Sequence, residues 1–194
     1  MEVHEAIEKR RTIRVLKKRV SEGQLRKIIL AGTKAPSAMN RQPWEFIIVD
    51  DQGLIDQLAE LKYQQNRRLP LRHFGEGLTR DDVEERALNQ KKFFQNASIV
   101  AVCNQRGQEQ RVSVWLCIEN MLLAAVAEGL GSGIVTYWGK QKQEVEKILG
   151  LPSGYELTAV LKFGVPGEDL FSREKLLPFA PRRPEFSWLH RNRF

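Results

Sequence analysis

Apolar residues along this chain repeat with two periods, near 3.6 and near 2, so helices and strands are expected to alternate in one layered domain. A short helix is expected over residues 3–10, then an extended link carrying Ile13 and Val15. Ser21 followed three residues later by Gln24 is capping-box spacing. A second helix therefore starts there, with Leu25, Ile28, Ile29 and Gly32 on one face. Phe46-Ile47-Ile48-Val49 reads as a strand, and Leu54, Leu58 and Leu61 place the next helix. From 62 to 90 the chain turns strongly polar, with Pro70, Gly75 and Gly77. This stretch is expected as a mobile excursion, helical in part, and as a candidate lid.

Residues 97–103 form a Val- and Ile-rich run short enough for a buried strand. The longest helix candidate covers 109–128, where Val112, Val114, Trp115, Leu116, Cys117, Ile118, Met121 and Leu122 leave little room for a polar face. A helix buried nearly all round needs cover on every side, and in a small domain a second copy of the chain can supply part of it, which predicts a homodimer. Gly129-Leu130-Gly131-Ser132-Gly133 reads as a helix cap plus a tight turn. The same glycines superficially suggest a dinucleotide fingerprint, but that site needs strand then helix, and here the order is helix then strand. An extended run at 134–137, a short helix at 143–149, the turn Leu151-Pro152-Ser153-Gly154 and a strand at 157–163 complete the domain, before a Pro-rich basic tail at 178–194.

The length of 194 residues suits one domain spanning 1–194, and 42% hydrophobic with 28% charged residues is an ordinary globular balance. No apolar run approaches the length of a bilayer span, and the charged start Met1-Glu2-Val3-His4-Glu5-Ala6 lacks the apolar core of a secretory signal. A cytoplasmic location with no membrane partner is expected. Cys103 and Cys117 have no CxxC partner and His4, His73 and His190 are scattered, so the cysteines are expected as buried small hydrophobes and no metal is expected. A formal charge of +7 raises the question of nucleic acid. The bases are dispersed, in Lys9-Arg10-Arg11, Arg14, Lys17-Lys18-Arg19 and the tail from Arg182, without interleaved aromatics on a recognisable RNA-binding or helix-turn-helix pattern. A small anionic ligand explains them at least as well, so no nucleic-acid partner is expected.

The most informative segment is Ala35-Pro36-Ser37-Ala38-Met39-Asn40-Arg41-Gln42-Pro43-Trp44. Two prolines restrict a loop that carries Ser, Asn and Gln between a helix and a strand, which suits a ligand-gripping segment as well as a plain connector. The chain has no G-x-S-x-G elbow, H-E-x-x-H or P-loop. A bound cofactor is therefore expected to carry any chemistry. The groups on offer are anion binders and amides: Arg10, Arg11, Thr12 and Arg14, the loop residues Ser37, Asn40 and Gln42, and Arg182 with Arg183.

Arg10-Arg11-Thr12-Ile13-Arg14 resembles the pattern R-R-S-x-R, and APSAMNRQPWEFIIV resembles A-P-S-x-x-N-x-Q-P-W-x-F; both characterise the nitroreductase-like flavoproteins. Further along, AAVAEGLGSGIVTYWG resembles A-x-x-x-G-L-G-S-x-W-I-G, Leu149-Gly150-Leu151-Pro152 resembles L-G-I-P, Leu161-Lys162-Phe163-Gly164-Val165-Pro166 resembles the x-L-G-Y-P strand end, and Arg182-Arg183-Pro184 resembles R-R-P. The resemblance runs through essentially the whole chain in the family's order. It implies an α+β domain with a central, mainly antiparallel sheet flanked by helices, an obligate homodimer, and FMN at the dimer interface. It places Arg10, Arg11, Thr12 and Arg14 at the FMN phosphate and ring edge, and Arg182 as a second phosphate ligand. Pro36, Ser37, Met39 and Asn40 would reach the flavin from the partner subunit, with Gln42 in the same part of the interface. Thr136, Trp138 and Gly139 fall in the segment along the isoalloxazine, with a backbone N–H near Trp138 facing flavin N5.

The implied activity is ping-pong hydride transfer from NADH or NADPH through FMN to a nitroaromatic, quinone or similar small oxidised acceptor, with no catalytic side chain required. The same resemblance leaves room for reductive dehalogenation, flavin fragmentation, dehydrogenation of a small metabolite or peptide, or flavin binding without turnover. Trp138 stands where many members have a small or acidic residue, and Ala180-Pro181-Arg182 lacks one cation of the family's Lys-x-Arg tail. The family's flavin-contacting Asn and Lys could fall on Asn89, Gln90, Lys91 or Lys92. Tyr63, His73 and Phe74 are candidates to shape a substrate pocket, with surface exposure as the competing reading.

Overall fold

A computed structural model describes residues 1–71, 78–167, 182–184 and 187–193. In chain order the described elements are α1 (Val3–Lys9), β1 (Leu16–Lys18), α2 (Glu22–Gly32), β2 (Trp44–Val49), α3 (Gln52–Arg67), α4 (Arg80–Lys92), β3 (Ser98–Gln105), α5 (Gln108–Ala127), β4 (Gly131–Val135), α6 (Gly139–Ile148) and β5 (Tyr155–Pro166), with one 3-10 turn at Ala38–Asn40.

The long strand β5 organises the sheet. It pairs with β3 from Ser98↔Phe163 to Gln105↔Tyr155 and, on its other edge, with β4 from Gly131↔Gly164 to Val135↔Val160. β2 lies outside β3, and short β1 joins the end of β5 at Leu16↔Pro166. Among the described residues every strand pairing is antiparallel, in line with the mainly antiparallel sheet expected, and the one parallel contact is an isolated bridge between Thr12 and Ser132. The centres of β3 and β5 are mainly apolar on both faces, with Lys162 as the exception, because helices cover the sheet on both sides. Val100, Val102, Leu161 and Phe163 pack with Leu25 and Ile28 of α2 and Cys117 and Met121 of α5. On the opposite face Ile99, Ala101 and Val160 pack with Ile55 and Leu58 of α3 and Val145 of α6.

Local signals account for the element ends. The Ser21–Gln24 capping box at the start of α2 is present in both directions. At the end of α5, Gly129 takes φ +72°, its N–H donates to Val126 O at 2.9 Å, and Leu130 N–H donates to Ala125 O at 2.8 Å. These are the two bonds of a Schellman cap, which is why a glycine stands there.

Five elements differ from the pattern-based expectation. Residues 62–67 continue α3 and 80–90 belong to α4, so the described part of the polar stretch is largely helical. Its charges are matched between the two helices, with Lys91 Nζ 2.6 Å from Glu60 Oε2 and Arg67 Nε 3.3 Å from Glu84 Oε2. β1 forms where only an extended link was expected, and α6 begins at Gly139, four residues before the expected start. α5 is long and apolar enough to cross a bilayer, a length the apolar pattern had not indicated. It lies against the sheet instead, with Val114, Cys117, Ile118, Met121 and Leu122 buried. The expectation of burial all round does not hold within one chain, since Val112 stays 59% and Leu116 46% exposed and Trp115 is also uncovered.

Candidate functional site

The arginine-rich link between α1 and β1 lies flat against β4. Ile13 N–H donates to Ser132 O at 2.8 Å, and a Cβ on Gly131 would stand only 2.8 Å from Ile13 Cβ. The glycines around Ser132 therefore serve this close approach as well as the helix cap. Arg10 caps α1 and points to α5, its Nε 3.7 Å from Glu119 Oε1. Arg11 turns its guanidinium back onto the carbonyls of Glu8 and Arg10, the latter at 2.8 Å, so it closes the end of α1. Thr12 is exposed beside Ser132, and Arg14 is half-buried, which pulls its guanidinium below the usual arginine range.

Beyond β4 the backbone of Thr136–Gly139 is clamped from α3. Thr136 O accepts hydrogen bonds from Lys62 Nζ at 3.0 Å and Gln65 Nε2 at 3.1 Å, while Gln65 Oε1 accepts from Trp138 N–H at 2.9 Å. Tyr137 is fixed by its hydroxyl on Leu58 O at 2.8 Å. The N–H of Trp138, expected to face a flavin, is thus already bonded. The next one belongs to Gly139, the first residue of α6, where a helix leaves its N–H groups without intrahelical partners. Trp138 itself is 45% exposed, with the Lys62 ammonium 4.7 Å from its ring centroid.

Two lysines lie inside this region. Lys62 is 7% exposed and Lys162, in mid-β5, is 2% exposed. Burial pushes Lys62 down to about 8 and Lys162 to about 7, with Arg14 and Lys62 lowering Lys162 further. Among the described residues neither is paired with a carboxylate. Such an arrangement is costly unless an anionic or electron-rich group shares the space.

The 35–44 loop stands elsewhere. Met39, Asn40 and Gln42 all take positive φ, at 50°, 53° and 48°, a rare cluster for residues other than glycine. Ser37 holds the turn by accepting Gln42 N–H at 3.0 Å, and Ala38 N–H reaches Ser113 Oγ of α5 at 3.4 Å. Met39 is 76% exposed, and Pro36 and Asn40 are also exposed. Among the described residues no hydrogen bond or ion pair joins this loop to residues 10–14 or 136–139. Thr12 is thus tied to Ser132 of β4, Thr136 and Trp138 are tied to α3, and Pro36, Ser37, Met39, Asn40 and Gln42 share no described hydrogen bond or ion pair with either group.

Of the other candidates, Arg182 is exposed, and no described contact ties it to Arg10 or Arg14. Lys91 is engaged with Glu60, Lys92 is exposed, and Tyr63 donates its hydroxyl to Glu84. His73, Phe74, Ala180 and Pro181 lie outside the described residues. Both cysteines are buried and their thiols are pushed up to about 12, as expected of buried hydrophobes. Sequence reasoning missed Lys62, Gln65 and Lys162. A signal was present: Lys62 and Gln65 continue the buried stripe of Ile55 and Leu58 at helical spacing, and Lys162 interrupts the apolar strand between Leu161 and Phe163.

An antiparallel sheet with helices on both faces and a cation-lined edge at β4 defines a recognisable class. The sequence profile of the Nitroreductase family matches residues 7–165, and the chain belongs to that family. It is 31% identical over 177 residues to the iodotyrosine deiodinase of Thermotoga neapolitana, an alignment covering 86% of this chain and 89% of that protein. It is 32% identical over 185 residues to the NADH dehydrogenase of Thermus thermophilus, covering 87% and 88%. The fold matches a solved oxidized iodotyrosine deiodinase bound to FMN and 3-iodo-L-tyrosine with a TM-score of 0.74 at 27% identity, over 100% of both chains.

Proposed function

We propose that this protein is an FMN-dependent oxidoreductase of the cytoplasm, active as a homodimer with a flavin site shared between subunits. The observation that carries the reading is the division of the family-matched residues. Arg10 is anchored on Glu119 of α5 and the 35–44 loop on Ser113, and the uncovered apolar residues Val112, Trp115 and Leu116 lie on the same helix. A second copy packed on that face covers the apolar surface and brings its own loop toward the first copy's arginine segment.

The residues present fit FMN. Arg182, exposed, and Arg10, partly buried beside Glu119, are guanidinium forks suited to its phosphate, and Thr12 adds a hydroxyl. Arg14 and the two buried lysines suit an electron-rich ring, while Gln65 fixes the backbone that lies along it. Bound FMN supplies hydride chemistry between NADH or NADPH and a small oxidised acceptor such as a nitroaromatic or quinone. The protein's share is binding, orientation and charge, and no side-chain acid or base is assigned.

The absorbance spectrum of purified protein, followed by titration with NADH or NADPH and turnover of nitrofurazone and menadione, tests this reading. A colourless protein that takes up no added FMN contradicts it. The similarity to iodotyrosine deiodinases favours reductive dehalogenation as a second reading. If flavin binds but neither nicotinamide bleaches it, while dithionite-reduced protein releases iodide from 3-iodotyrosine, the second reading replaces the first.

A further inference from the structure

Lys162 is the least expected residue of the sheet. Its strand neighbours across β5 are Gly133 on β4 and Ile99 on β3, and it lies on the face that packs against α3. A Cβ built on Gly133 would stand 3.4 Å from Lys162 Cε and 3.7 Å from Thr12 Cγ2, so the lysine runs past the bare glycine toward Thr12. Its ammonium stands 5.3 Å from the ring centroids of both Phe93 and Phe94. The charges that face it are Arg14 and Lys62, both positive. Lys62 in turn bonds Thr136 O and lies over Trp138. Lys162 thus lies beside Thr12 across Gly133, with the positive charges of Arg14 from the α1–β1 link and Lys62 from α3 acting on it, and Lys62 also holds Thr136 and lies over Trp138.

We propose that Lys162 tunes the bound flavin, supplying positive charge to the isoalloxazine so that reduced, anionic FMN is held more tightly than oxidised FMN. The inference rests on the FMN reading above. Two-electron reduction with uptake of one proton leaves the ring with one negative charge, and a desolvated ammonium nearby stabilises that state most. The ring, not the phosphate, is the partner that suits Lys162. Its surroundings are buried and aromatic, whereas Arg10 and Arg182 offer more exposed, bidentate groups for a solvated phosphate. Nor do the surface lysines of α4 compete for the role, because Lys91 is paired with Glu60 and Lys92 faces solvent.

The test compares wild type with Lys162→Met and Lys162→Gln, using Lys91→Met as a surface control. Three quantities are read: the Kd for oxidised FMN and for riboflavin, the midpoint potential of the bound flavin against a reference dye, and the melting temperature of the flavin-free protein. Removing a buried uncompensated charge is expected to raise the flavin-free melting temperature in Lys162→Met, which a merely structural lysine would not do. The Kd for oxidised FMN is expected to change little. Reduced FMN is expected to lose about tenfold in affinity relative to oxidised, a potential about 30 mV more negative for a two-electron couple. An unchanged potential in both flavin-loaded variants overturns the assignment. So does an equal loss in both redox states that spares riboflavin, which would put Lys162 at the phosphate. Wild-type protein that takes up no flavin at all removes the parent reading and this one with it.

Discussion

Gln65 is the residue through which helix α3 controls the backbone beside Trp138. One amide side chain donates to Thr136 O and accepts from Trp138 N–H, and it is buried while doing so. Gln65→Leu leaves both backbone groups without that partner, at a cost of about 1–3 kcal/mol. A lower melting temperature and faster loss of FMN on gel filtration are expected together; full flavin retention would contradict the clamp. Glu156 shows the opposite kind of buried charge. Burial alone would raise its carboxyl, but hydrogen bonds from Lys142, Arg111 and Asn104, with Lys142 Nζ and Arg111 Nη2 each at 2.7 Å, outweigh it and hold the group at about 2. Because the folded value lies below the ordinary 4.5, this contribution is fully present above that pH and is lost as pH falls toward 2. Allowing for the half-exposed Arg111, it amounts to about 2 kcal/mol. Urea unfolding should show stability falling from pH 6 to pH 3 more steeply in wild type than in Glu156→Gln; parallel curves would contradict the network's role.

At the scale of elements, α5 does two jobs with two faces. Its buried face carries the core against β3 and β5, and its uncovered face presents Val112, Trp115 and Leu116. Leu116→Arg leaves the core untouched and places charge on the uncovered face. Light scattering should then find a folded monomer with little bound FMN, whereas an intact dimer would show that the interface lies elsewhere. Elements whose burial follows a simple pattern were legible from sequence: the capped start of α2, the Val- and Ile-rich β3 and the long α5 are examples. So was the 35–44 loop, whose prolines and amides signalled a constrained polar segment. What escaped was polar residues in buried places, because a Lys or Gln read alone counts as solvent-facing. Lys62 and Gln65 were for that reason assigned to a surface excursion, although they extend the buried face of α3. The early start of α6 was hidden for a related reason: Gly139 at φ +55° and the polar Lys140 and Gln141 carry no apolar period.

For the whole molecule, the proposed function requires a flavin site completed by residues of both subunits. No described hydrogen bond or ion pair joins the Arg14 segment to the Asn40 loop within one chain, and the proposed shared site has the two meet the same flavin across the interface. Arg14→Ala alone should weaken FMN binding by about 2–4 kcal/mol, the worth of one or two charge-assisted hydrogen bonds. Asn40→Ala should weaken it as well, and both homodimers are then flavin-poor. The decisive measurement is the FMN content of purified heterodimers that pair one Arg14→Ala chain with one Asn40→Ala chain. A shared site predicts that one of the two sites escapes both substitutions, so each heterodimer recovers one tightly bound FMN; heterodimers as flavin-poor as the two parent homodimers would contradict it.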